Sequence, residues 1–125
     1  MNKSRPVNLD LSTYSFPITA LVSITHRVSG CILLVGMLIL IWMLDASLES
    51  EESFNQLKDT LSSPLVKFIV WGILSALAYH TIAGIKHLIM DMGIGETLEG
   101  GIMGSKITVV LSGAIIIAIA GWLIW

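Results

Sequence analysis

The chain has 125 residues, 54% of them hydrophobic and only 13% charged, with a formal net charge of −2. An average soluble domain is about 25% charged, so the composition excludes that class and points to an integral membrane protein, in line with a mean hydropathy of +0.84. The acidic balance argues against a nucleic-acid partner, which would call for a basic patch. The single cysteine, Cys31, can form no internal disulfide and has no metal-site spacing.

The length allows one domain, 1–125. No secretory signal is expected, because the first apolar segment comes late and is too long. No Arg/Ser-rich transit segment is visible either, so a bacterial inner membrane is the expected location.

In chain order, a short segment with Lys3 and Arg5 leads to the stretch "SITHRVSG" (Ser23–Gly30). An uncharged run of 17 residues, Val28–Leu44, follows. Asp45–Ser63 is acidic, with Asp45, Glu49, Glu51, Glu52 and Asp59 against Lys58, and reads as a linker. Pro64 is suited to the first turn of a helix. Phe68–Ile85 spans 18 residues whose only basic or acidic side chain is His80. A second linker, flanked by Lys86 and Lys106, holds five glycines between Met92 and Gly104. The last run, Ile107–Trp125, is 19 residues without a charge. A bilayer core of about 30 Å needs about 20 helical residues, and backbone groups in lipid must be satisfied within the segment. The expected fold is therefore all-α with three transmembrane helices, over about 20–45, 64–91 and 105–125.

Trp42, Trp71, Tyr79, Trp122 and Trp125 fall mostly near segment ends, as an aromatic belt would place them. Gly113 and Gly121 suggest close helix contact in the third span. Of the seven Lys/Arg, five fall on one side, counting Lys3, Arg5, Arg27, Lys86 and Lys106. The positive-inside rule makes that side cytoplasmic, with the N terminus inside and the C terminus periplasmic. All three histidines then gather in one inner-leaflet layer, together with Ser23, Arg27 and Asp91.

His80 and His87 are two helical turns apart and share a face, so they cannot ligate opposite sides of one iron. His80 would be either a haem ligand or a ring bonded to a neighbouring helix. A second axial histidine would come from a partner subunit or from His26, the only internal candidate. Gly84, four residues on, leaves room beside His80. His87 would be an interfacial histidine or a contact to an anionic cofactor group. Ser23, His26 and Arg27 lie on adjoining faces of the first helix. They would hold the carbonyl head of a quinone, or Arg27 would snorkel to the headgroups. No nucleotide-binding, redox-cysteine or zinc-protease motif occurs.

Three segments carry a resemblance: "RPVNLDL" (Arg5–Leu11), "FPITALVSITHRVSG" (Phe16–Gly30) and "ALAYHTIAGIKHLIMDMG" (Ala76–Gly93). The pairing of S-x-x-H-R-x-S-G with H-x-x-x-G-x-K-H is specific. The chain resembles the cytochrome b556 membrane-anchor subunits of succinate dehydrogenase (succinate:quinone oxidoreductase, respiratory complex II). The resemblance implies that His80 is the axial ligand of haem b, with the other axial histidine supplied by a second, smaller anchor subunit. It implies that Ser23 and Arg27 belong to the ubiquinone site, with Phe16 and Ile24 lining the quinone's approach. His26, Arg27 and His87 would lie near the haem propionates. Lys86 stands where relatives commonly carry arginine and is given no role. The implied partners are that second anchor, an iron–sulfur subunit, a flavoprotein subunit and the lipid bilayer. The implied function is passage of electrons from succinate oxidation to quinone, in the tricarboxylic acid cycle and respiratory chain, with no activity expected of this subunit alone. The competing readings are an anchor of fumarate reductase, running the reverse direction, and a non-redox structural or transport membrane subunit.

Overall fold

The structure, a computed structural model, describes Val7 and residues 9–125. Lys3 and Arg5 lie outside the described residues, as do Pro6 and Asn8 of "RPVNLDL". Among the described residues all regular structure is helical: α1 (Ile18–Glu49), α2 (Glu51–Leu61), α3 (Pro64–Asp91) and α4 (Leu98–Ile124), after a 3-10 turn at Leu11–Thr13. That turn is set by Asp10, whose carboxylate accepts from the Ser12 amide at 3.0 Å and its hydroxyl at 2.6 Å. These bonds hold the exposed Asp10 carboxyl below its ordinary pKa.

α1, α3 and α4 are long and apolar enough to cross a membrane. At about 1.5 Å per residue their 32, 28 and 27 residues make rods of about 48, 42 and 40 Å. Each exceeds the roughly 30 Å hydrocarbon core, so the helix ends reach into the headgroup layers.

The acidic linker contains a helix of its own. Ser50 is extended (φ −161°) and ends α1, and its hydroxyl accepts from the Ser53 amide to cap α2. Glu51 and Glu52 sit in the first turn of α2 and Lys58 in the last, the charge order that a helix dipole favours. Ser53, Leu57 and Leu61 are half-buried on one stripe while the acidic residues face out.

The glycine-rich linker is also shorter than its composition suggests. Only Gly93 and Gly95 take the left-handed conformation, at φ 83° and 72°. Thr97 then caps α4 by accepting from the Gly100 amide at 3.0 Å. Gly100, Gly101 and Gly104 are helical and serve packing. A β-carbon on Gly100 would meet the Gly95 carbonyl oxygen at 2.8 Å, and one on Gly104 would lie 3.4 Å from the Lys86 side chain.

Cross-contacts define the topology. Ile73 abuts Gly36 and His80 abuts Gly30, so α3 runs antiparallel to α1. Trp71 Nε1 donates to the Ile116 carbonyl at 3.1 Å and Lys86 lies on Gly104, so α4 is antiparallel to α3. Thr19 lies against Gly101, which sets α4 parallel to α1. The bundle runs up-down-up, with α3 packed on both neighbours.

Its core is built of small and medium side chains: Val22, Leu33, Ile73, Ala76 and Ala83, with Ser29, Ser105, Thr108 and Ser112. This is the membrane pattern, in which small residues let helices approach. The buried stripe of α4 is therefore Gly101-Ser105-Thr108-Ser112 rather than the expected Gly113 and Gly121, whose β-carbon positions have nothing within 4 Å. Trp71 and Tyr79 each find a hydrogen-bond partner on a neighbouring helix.

Candidate functional site

The densest polar grouping sits where the first third of α1 faces the second half of α3. Ring stacking brings His26 and His80 together, with centroids 4.2 Å apart and planes 11° from parallel. His87, two turns beyond His80, approaches the other way, 5.2 Å from His26 at 57°. His26 is thus the hub that joins all three histidines. The expected inner layer is a contact cluster, and all three rings are half-buried.

His80 is held through one ring nitrogen. Its Nδ1 lies 3.0 Å from the Ser29 hydroxyl oxygen and 3.2 Å from the His26 carbonyl oxygen. Ser29, 5% exposed, donates its own hydroxyl proton to that same carbonyl at 2.6 Å. Two glycines make room for the stack. A β-carbon on Gly30 would be 3.2 Å from His80 Cε1, and one on Gly84 would be 3.4 Å from His26 Nε2. The space opened by Gly84 is therefore taken by the His26 imidazole within this chain.

One turn toward the N terminus of α1, the Tyr79 hydroxyl donates to the Val22 carbonyl at 3.2 Å and makes a short hydrogen bond with the Thr25 hydroxyl. Thr25 itself bonds back to the Leu21 carbonyl at 2.6 Å. These bonds pin α3 to α1 beside the histidines.

Ser23 is half-buried on the edge of this cluster, whereas Arg27 is exposed. Phe16 and Ile24 are 41% and 46% exposed, and Phe16 packs against Tyr14 with ring centroids 5.9 Å apart. Ile24 and Arg27 are on the exposed side of α1 near its start. The fold thus brings together His26, His80 and His87, while among the quinone-site candidates Phe16, Ile24 and Arg27 are exposed and Ser23 is half-buried. Among the described residues no group of three or more His, Cys, Asp or Glu is arranged to hold a bare metal ion.

Ser29, Gly30 and Thr25 carry no role in the residue pattern, and Tyr79 reads there only as a belt aromatic. Ser29 and Gly30 stand inside the quoted stretch, and a signal existed. Ser29 follows His26 by three and so shares its face, and Gly30 marks a place where another helix comes close.

The profile of the succinate dehydrogenase/fumarate reductase transmembrane subunit family matches residues 1–121. A succinate dehydrogenase cytochrome b556 subunit of Coxiella burnetii (strain RSA 493 / Nine Mile phase I) is 42% identical over the whole of both chains. One from Paracoccus denitrificans is 31% identical over 93% of this chain and 88% of its own. A cytochrome b560 subunit of succinate dehydrogenase from Reclinomonas americana is 30% identical over 100% of this chain and 89% of its own. Three long apolar helices and these matches define a transmembrane subunit of the succinate dehydrogenase type. The chain belongs to the succinate dehydrogenase/fumarate reductase transmembrane subunit family.

Proposed function

We propose that this chain anchors a succinate dehydrogenase in a bacterial inner membrane, holds haem b together with a second anchor subunit, and forms part of the ubiquinone-reduction site. The relatives named above are succinate dehydrogenase subunits, which favours this direction over fumarate reduction. In this reading 1–125 is one anchor domain, the N terminus is cytoplasmic and the C terminus periplasmic. The partners are the second anchor, an iron–sulfur subunit and a flavoprotein subunit.

The single observation that carries the reading is the setting of His80. Its Nδ1 is bonded inside the chain while Nε2 makes no hydrogen bond among the described residues. A ligating histidine typically has its second nitrogen bonded to an oxygen in this way. The residues present fit a haem on that ground. The stacked pair also argues for a shared site. The His26 ring lies face to face with His80 at 4.2 Å, so it would pack beside the ligand, and a second ligand would come from another chain. When bound, the haem supplies a one-electron store whose potential is set by its ligands and burial.

Toward the quinone, this chain's work is positioning and electrostatics. Ser23 would hydrogen-bond a quinone oxygen from the edge of α1. Arg27 would stabilise negative charge developing there. Protons would arrive through water or a partner's side chain. Phe16 and Ile24 would supply apolar walls, as small-molecule sites use. His26 and His87 would face the propionates.

The test is the purified complex with His80→Leu and Arg27→Leu. His80→Leu is expected to alter or abolish the b-type signal in a reduced-minus-oxidised spectrum. Arg27→Leu is expected to lower quinone reduction by about tenfold or more while a water-soluble acceptor is still reduced. Loss of one such donor typically costs 100- to 1,000-fold, and the exposure of Arg27 places it at or below the lower end. A wild-type complex without haem, with neither substitution altering turnover, would sink the reading.

A further inference from the structure

The cluster fixes which nitrogen of His80 carries the proton. Nδ1 faces two oxygens, the His26 carbonyl at 3.2 Å and the Ser29 hydroxyl at 3.0 Å. A carbonyl can only accept, so a bare Nδ1 would set lone pair against lone pair. The Ser29 hydroxyl cannot help such a nitrogen either, because its one proton is already donated to that carbonyl at 2.6 Å. The consistent arrangement has Nδ1–H donating to both oxygens and leaves the lone pair on Nε2. Ser29 is 5% exposed and held on a rigid helix, so water does not readily replace it.

We infer that Ser29 is a positioning residue for the haem ligand. Its hydroxyl oxygen, seated between the His26 carbonyl and His80 Nδ1, locks the Nε2-ligating tautomer and ring plane of His80 and raises its strength as a donor. The inference rests on His80 being the ligand. An acceptor on the remote N–H makes an imidazole a stronger donor, and a stronger donor favours ferric over ferrous iron. Gly30 takes part by its lack of a side chain, since a β-carbon there would stand 3.2 Å from His80 Cε1 and tilt the ring.

The experiment is redox titration and low-temperature electron paramagnetic resonance of the haem in the complete purified complex, comparing wild type, Ser29→Ala and Ser29→Thr. Ser29→Ala is expected to keep the haem and to shift its ferric/ferrous equilibrium toward ferrous by about tenfold, which is a potential higher by about 59 mV for one electron. The His26 carbonyl remains as one acceptor, which keeps the shift near that size. The ferric g-values should move with it. Ser29→Thr keeps the hydroxyl and should return both readouts toward wild type. An unchanged potential and unchanged g-values in Ser29→Ala would overturn the assignment. So would equal shifts in Ala and Thr, which would mark a packing effect.

Should Ser29→Ala fail to assemble, Ser29→Cys takes its place, since sulfur is a weak acceptor of similar size, and a wild-type potential in it is equally fatal. His80→Leu separates the two levels. If it leaves the haem spectrum untouched, the ligand reading falls and takes Ser29 with it. If it alters the spectrum while Ser29→Ala changes nothing, only the Ser29 role is lost.

Discussion

Tyr79 shows what a single hydroxyl does in a membrane protein. On an unbroken apolar run it has the look of a belt residue, and its hydroxyl reaches the Val22 carbonyl and the Thr25 hydroxyl across the α1–α3 seam. Such inter-helix bonds in membranes average about 0.6 kcal/mol. Tyr79→Phe should therefore lower the unfolding free energy of the subunit by about that amount, as measured by haem release or helix loss on heating. It should leave haem content at ambient temperature unchanged. A cost of several kcal/mol would mean that the hydroxyl supports the histidine stack as well as the seam. The same logic separates the charged residues. Arg27 is exposed and free to serve a ligand outside the bundle, whereas His26 is committed to two neighbouring rings.

At the scale of helices, the tightest point of the α1–α3 contact is Gly36. A β-carbon there would lie 2.9 Å from Ile73 Cγ2 and 3.0 Å from Cγ1. Ile73 is 5% exposed and β-branched, so its χ1 cannot easily yield. Gly36→Leu should cost about 1–3 kcal/mol as an overpacked site, read as a lower melting temperature of the complex. Ile73→Ala in the same chain should recover part of it. No recovery would place the strain elsewhere than this pair.

The three long helices were legible because charge-free runs of this length have few alternatives in lipid. Pro64 and Asp91 bound α3 as expected, whereas α1 runs on to Glu49 and α4 starts as early as Leu98. Ser50 and Thr97 decide where α2 and α4 begin through one hydroxyl each, and such short-range bonds lie beneath the hydrophobic signal. Five glycines read as a linker, yet three of them are helical because a neighbour occupies the space of the missing side chain. The histidine layer was legible from topology alone. Its geometry was not, because the stack depends on the register of α1 against α3, which Gly30, Gly36 and Gly84 set together.

For the whole molecule, the surface is the informative part. Leu34, Val110, Ile117 and Trp122 are each at least 70% exposed, a surface that water would not tolerate over such an area but lipid and partner helices would. The proposed orientation puts the α2 end outside and the α3–α4 turn inside. With Cys31→Ala removing the native thiol, Asn55→Cys on α2 should react with a membrane-impermeant maleimide added to spheroplasts. Glu96→Cys in the α3–α4 turn should react only after the membrane is opened. The reverse pattern would invert the topology and move the histidine layer to the periplasmic side, out of reach of a cytoplasmic iron–sulfur subunit.

The hydroxyl stripe of α4 has a consequence for how the protein is made. Ser105, Thr108 and Ser112 each donate to a carbonyl one turn earlier in their own helix. Their polarity is cancelled before any neighbour arrives, so α4 can leave the insertion machinery for lipid as a finished element and meet α3 later. Ser75 on α3 has the opposite character: its buried hydroxyl oxygen has no hydrogen-bond partner among the described residues. During biogenesis α4, its hydroxyls already bonded, can therefore wait for its neighbours.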